Sequence, residues 1–151
     1  LKGPDPRLAG TALHDLRVHP RHTGEEGPCD TGSCNDYARM LSGLALLQKA
    51  GAGASDAGRV LTLNFSNPFP ILLDKPSPRA APIWFHKDRS FSETDFTPPE
   101  ALFGDVGFVM IARNEGNAEV LSRIYHDSLA RDFTQVAEDP HWLLLRRKNG
   151  A

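Results

Sequence analysis

The sequence predicts an α/β domain, a small three-layer or two-layer sandwich whose partly parallel sheet ends in a C-terminal antiparallel hairpin. Three observations carry that expectation. Apolar residues recur at helical spacing in two long segments, short strand-like apolar runs stand between them, and the chain closes on two strand-like runs joined at Asp139-Pro140. The order helix, strand, short helix, strand, helix, strand, strand puts crossover helices between parallel strands and a hairpin at one edge.

Residues 1–33 show no sustained period. Leu13, Leu16 and Val18 offer a short apolar contact, while His19-Pro20-Arg21-His22 and 24–27 read as loop. This stretch is expected to be an extended arm or linker ahead of a single α/β domain over 34–151. A first helix is expected over 36–49, where Tyr37, Met40, Leu41, Leu44 and Leu47 lie on one face. Asn35 or Asp36 would cap it and Gly51 would stop it.

Val60-Leu61-Thr62-Leu63-Asn64-Phe65 is a strand by length and β-branched content. Asn67-Pro68-Phe69-Pro70 ends it, because proline cannot donate to a ladder. Pro82-Ile83-Trp84-Phe85-His86 is expected to be a short edge strand. Thr97-Pro98-Pro99-Glu100 reads as a capping box that opens a short helix stopping near Gly104. Val106–Ala112 is a nearly continuous apolar run, the mark of a central strand covered on both faces. A second long helix over 118–131, capped by Asn117, carries Leu121, Ile124, Tyr125 and Leu129 on one stripe. Strands over 134–138 and 142–147 complete the chain.

Composition narrows the function. With 40% hydrophobic and 24% charged residues the composition is that of a globular rather than a disordered chain. A net charge of −2 gives no broad basic field, which argues against a nucleic-acid partner. No run approaches the roughly 18 apolar residues a spanning helix needs. No charged start followed by an apolar stretch marks a signal peptide. The chain begins at Leu1 rather than Met, so it is expected to be a piece of a longer protein.

Few residues point to chemistry. His14, His19 and His22 with Cys29 and Cys34 form the one group resembling zinc ligands, but the spacing matches no zinc pattern, and surface histidines are the plainer reading. Cys29 and Cys34 enclose Asp-Thr-Gly-Ser, turn chemistry that can bring the sulfurs together. In an oxidising compartment they are expected to pair, a link worth about 2 kcal/mol for so small a loop. Two free thiols in a reducing compartment is the alternative. Cys34, just before a helix start, also has the setting of a reactive thiol, though not in a C-x-x-C pair.

No glycine-rich dinucleotide or phosphate loop occurs, and no G-x-S-x-G elbow. Asp74, Asp88, Glu93, Asp95 and Glu100 read as a solvated charged loop rather than a glycosidase pair. Asn64-Phe65-Ser66 matches the glycosylation sequon but falls in an expected strand and is discounted. The loop 113–117 follows a central strand and precedes a helix, where open α/β sheets bind ligands, but a plain connecting loop with an N-cap is the favoured reading. No catalytic residue, cofactor site or metal site is therefore assigned. The best candidate for ligand contact is the run Trp84, Phe85, His86, Lys87, Arg89 and Phe91, with Trp84, His86, Lys87 and Arg89 as its contacting residues. Interleaved aromatic and basic side chains can stack on a sugar or pair with a phosphate. The competing reading is aromatics folded back to cover the sheet.

Three segments carry a family resemblance: Val60-Leu-Thr-Leu-Asn-Phe-Ser-Asn-Pro-Phe-Pro70, Pro82-Ile-Trp-Phe-His86, and the ending from Tyr125-His-Asp-Ser-Leu129 through Phe133-Thr-Gln-Val-Ala-Glu-Asp-Pro-His-Trp142 to Leu145-Arg-Arg147. Together they resemble the extracytoplasmic C-terminal part of bacterial polytopic membrane proteins of the glycosyltransferase type, over about Asn35 to Lys148. The resemblance implies an accessory domain, inactive alone, on the periplasmic face of the inner membrane. It also implies the membrane-embedded remainder of the parent chain as partner and a saccharide or lipid-phosphate as ligand; the charge balance, separately, points to no nucleic acid. That family's catalytic carboxylates lie in loops between membrane helices, so none is carried onto this chain. The alternatives are a free-standing periplasmic ligand-binding domain and a cytosolic enzyme of unrecognised type.

Overall fold

The computed structural model describes residues 4–15 and 32–149, with the backbone alone for 32–35. A 3-10 turn at Pro6–Leu8 precedes α1 (Gly32–Lys49), β1 (Arg59–Leu63), α2 (Phe69–Leu72), α3 (Pro99–Leu102), β2 (Val106–Ala112), α4 (Gly116–Ile124), α5 (His126–Asp132), β3 (Phe133–Glu138) and β4 (Trp142–Arg147). The strands form one mixed sheet in the order β1-β2-β4-β3. β1 and β2 are parallel, and β4 runs antiparallel to both its neighbours. The expected α/β fold with a C-terminal antiparallel hairpin is present. Helices cover both faces, so the arrangement has three layers.

Alternate strand residues point to opposite faces and find different helices. On one face Val60, Phe108, Met110 and Leu144 meet Leu44 and Leu47 of α1 and Phe69 and Leu72 of α2. On the other, Leu61, Leu63 and Val109 meet Leu102, Leu121 and Leu129 of α3, α4 and α5. Leu8 is fully buried on the α1 side, so the described part of the N-terminal stretch packs against the core. Asp5 beside it accepts hydrogen bonds from Arg7 and from the Tyr37 hydroxyl. The Arg7 side chain holds that carboxyl well below the usual carboxylate range.

Two glycines are set by close approach. A Cβ on Gly107 would lie 1.8 Å from the Ala57 carbonyl oxygen, at the point where the β1–β2 register slips by one residue. A Cβ on Gly43 would lie 2.4 Å from the Phe69 ring and 2.9 Å from the Trp142 indole nitrogen. Phe69 and Trp142 pack edge-on at 5.4 Å in the space left. The indole N–H donates to the Arg39 carbonyl of α1 at 2.8 Å, tying β4 to that helix.

Several local expectations are corrected. The first helix starts at Gly32, so Asn35 and Asp36 lie inside it rather than at its cap. The apolar stripe marked where the helix touches the sheet, not where its backbone begins. Its end is as expected: the Ala52 N–H reaches Leu47 O and the Gly51 N–H reaches Gln48 O, a Schellman closure. Residues 82–86 form no strand, since only the Phe85 N–H reaches a neighbouring backbone, at Phe65 O. No capping box forms at Thr97. Pro98 is the cap without a side-chain bond, and the Thr97 carbonyl instead accepts from the Tyr125 hydroxyl at 2.9 Å.

The second long helix breaks at Tyr125 into α4 and α5. Its apolar period runs through the break because Leu121 and Leu129 both face the same core. Asn117 lies in the first turn of α4, and the cap position belongs to Glu115. Asn64-Phe65-Ser66 lies in the bend after β1, not in the strand. Among the described residues, no helix is long and apolar enough to cross a membrane.

Val109 is fully buried in the middle of β2. Val109→Asp would bury a charge there without a partner and is expected to remove about 3 kcal/mol or more, enough to unfold a small domain. A melt that shifts by less than about 1 kcal/mol would contradict this placement.

Burial pushes the Tyr125 phenol from its ordinary value near 10 up to about 12. The neutral form is favoured only in the folded chain, so this contribution is complete below pH 10 and is lost as pH rises towards 12. Denaturant titrations across that window are expected to fall for the native chain, and Tyr125→Phe is expected to flatten the decline.

Candidate functional site

The parallel pairing of β1 and β2 brings their C-terminal ends side by side, and two loops follow from them. The first, after β1, is fixed from inside. The buried Thr62 hydroxyl donates to the Asn67 side-chain oxygen at 2.7 Å, and the Asn67 amide donates to Val60 O at 2.8 Å. That ties the chain back on its own strand and leaves Phe65 48% exposed at the turn. The second loop, after β2, leads into α4.

The segment 82–91 lies against both. The Phe85 N–H donates to Phe65 O at 3.1 Å, and Asn117 donates its side-chain amide to Phe85 O at 3.1 Å. The aromatic residues of this segment divide between core and surface. Phe85 and Phe91 fold inward and pack edge-on at 5.9 Å in the core with α3, α4 and α5. Trp84, Lys87 and Arg89 stay exposed, and His86 is half-buried with its ring edge-on to Phe65 at 5.9 Å.

A tight turn holds these groups. The Ser90 N–H donates to His86 O, the Ser90 hydroxyl to Trp84 O, and the His86 N–H to the Ser90 hydroxyl oxygen. Asp88 sits at φ +61° in the turn, with its N–H on Phe91 O at 2.7 Å. The result is an open groove of about 640 Å³ lined by Phe65, Pro82, Ile83, Trp84, His86, Arg89 and Ser90. Of the four expected contact residues, Trp84, His86 and Arg89 line it, and Lys87 projects from the same turn.

Phe65, Pro82 and Ile83 were not among the candidates. Phe65 was hidden by its assignment to the strand, which stops at Leu63. Ile83, 87% exposed beside a proline, reads in the sequence like any strand residue.

The loop 113–117 is occupied by its own contacts. Arg113 pairs with Glu138 at 3.3 Å and donates to Asp139 O, and Arg39 of α1 pairs with Glu115. Ser42 donates to Asp139, whose other oxygen accepts the His141 and Trp142 N–H groups and closes the β3–β4 turn. The charged groups of this loop are taken up by internal pairing.

A polar recess of about 370 Å³ lies at the opposite end of β1 and β2, edged by Asp105, Arg146, Arg147 and Lys148. Arg147 donates to Val106 O and Phe103 O, and Lys148 to Ala130 O and Arg131 O, so both brace backbone carbonyls. The five acidic residues Asp74, Asp88, Glu93, Asp95 and Glu100 are all exposed, and Glu93 is paired with Arg123 at 2.8 Å.

Cys29, His19 and His22 lie outside the described residues, as does the side chain of Cys34. His14 is held locally, between Thr11 O at 3.0 Å and Asp15 at 3.2 Å. No family model, curated protein or solved structure matches this chain.

The Asn117–Phe85 bond is the side-chain link between the candidate segment and α4. Asn117→Ala is expected to cost about 1 kcal/mol and to speed amide exchange across 84–91 while the sheet amides keep their protection. Unchanged exchange in that segment would show that the bond does not hold it.

Proposed function

We propose that this chain is an extracytoplasmic accessory domain of a bacterial polytopic membrane protein of the glycosyltransferase type. It is non-catalytic alone and contacts a saccharide or lipid-phosphate ligand through the groove around Trp84. Its partner is the membrane-embedded remainder of the parent chain. The observation that carries the ligand-contacting part is the groove itself: exposed aromatic and apolar surface from Phe65, Ile83 and Trp84 with the Arg89 guanidinium at its edge. An aromatic face takes the apolar side of a ligand, and a guanidinium takes a phosphate through paired N–H donors.

The polar groups elsewhere support a non-catalytic role. Ser42 and Asp139 meet, but Asp139 spends its second oxygen on two backbone amides, and Arg39, Arg113, Glu115 and Glu138 are paired with one another. The extracytoplasmic location and the glycosyltransferase-like parent rest on the sequence resemblance.

Titration with short saccharides and glycerol phosphate, followed by amide and indole NMR shifts, tests the reading. Shifts are expected at Trp84, His86 and Arg89 with affinity on the order of micromolar to millimolar. Shifts confined to 113–117 would move the site to the strand end, and no shifts with any ligand would overturn it.

A further inference from the structure

We infer that the tip 82–84 docks on a lipid bilayer: Ile83 and Trp84 enter the interface of a membrane carrying anionic lipids, while Lys87 and Arg89 hold lipid phosphates. This rests on the reading of the groove as a ligand-contacting site and names its partner.

Ile83 leaves 87% of its surface in water and its neighbour Trp84 49%, while the next residue, Phe85, is anchored in the core at 4%. Single exposed apolar residues are ordinary, but Pro82-Ile83-Trp84 with Phe65 alongside in one groove is a contiguous apolar surface. Ile83 belongs to neither core cluster and so adds nothing to core packing. Tryptophan is the side chain most at home at a bilayer interface, with its ring in the apolar boundary and its N–H towards water.

The charges select the kind of surface. Lys87 and Arg89 follow the tip on the same turn, are exposed, and take part in no ion pair among the described residues. Asp88 between them is the single acidic residue from 82 to 90. Two free cations beside an apolar apex complement anionic headgroups above an acyl layer.

A soluble saccharide fits less well, because it presents hydroxyls that need polar partners. The groove's uncharged polar atoms are partly spent on the turn itself: the Ser90 hydroxyl bonds Trp84 O and the His86 N–H, and His86 Nδ1 lies 2.8 Å from Lys87 O. That leaves the Arg89 guanidinium, a phosphate partner, as its main donor.

Cosedimentation of the 151-residue chain with phosphatidylcholine vesicles, with and without phosphatidylglycerol, tests this, with tryptophan emission recorded alongside. Binding is expected to the phosphatidylglycerol vesicles, to weaken with salt, and to shift emission to the blue. That shift reports Trp84, because Trp142 is already buried at 3% exposure. Ile83→Asp is expected to abolish binding without moving the thermal melt. Lys87→Gln and Arg89→Gln are each expected to weaken it about fivefold.

Absence of binding to phosphatidylglycerol vesicles, or binding that Ile83→Asp leaves unchanged, overturns the proposal. If vesicles fail while glycerol phosphate or a saccharide still shifts the Trp84 and Arg89 resonances, the bilayer is wrong and the ligand-contacting reading stands. If neither acts, both fall.

Discussion

A strand that is apolar along its whole length must find an apolar layer on each side, and β2 finds both within this chain. Phe108, Met110 and Ala112 look towards α1 and α2, while Val106 and Val109 look towards α3, α4 and α5. Its two edges are equally committed, to β1 on one side and β4 on the other. Burial of that order, at about 25 cal/mol per Å² of apolar surface, is the largest favourable contribution available to a domain of this size. The helices are placed by it. At the slip of register the bare Cα of Gly107 leaves room for the Ala57 carbonyl, which a Cβ there would meet at 1.8 Å.

The candidate site inherits its geometry from that frame. Phe85 and Phe91 are core residues, and the polar turn between them is therefore carried out into solvent from two fixed points. Asn117, at the start of the helix that follows β2, and Phe65, just past the end of β1, hold Phe85 from either side. A loop anchored in this way can present Trp84, Lys87 and Arg89 without much ordering on contact, which lowers the entropic cost of binding.

The same parallel pairing also brings a second loop to this end of the sheet, and its charges have a different fate. Arg39, Arg113, Glu115 and Glu138 meet in pairs, and Asp139 closes the β3–β4 turn. A helix start next to a strand end is where open sheets often hold ligands. Here the groups that would do so brace α1 and the hairpin against the sheet. Apolar exposure is what distinguishes the neighbouring groove.

The sequence by itself determined the class of fold, the central strand and the terminal hairpin. These follow from local periodicity and from an apolar run that only a doubly covered strand can bury. It also singled out Trp84, His86, Lys87 and Arg89 by their interleaved chemistry. What it could not determine was which aromatics of that segment turn inward, since Phe85 and Trp84 are adjacent and equally apolar. Nor could it show the break at Tyr125, because the apolar period continues through it, or the start of α3 at Pro99, which puts Pro98 at the cap and leaves Thr97, whose carbonyl accepts from the Tyr125 hydroxyl, one residue outside it. Phe65 and Ile83 joined the groove only when β1 stopped two residues short of Phe65 and 82–86 failed to pair as a strand. Each of these was decided by contacts between distant parts of the chain, and tertiary packing outweighs local preference wherever the two differ by only about 1 kcal/mol.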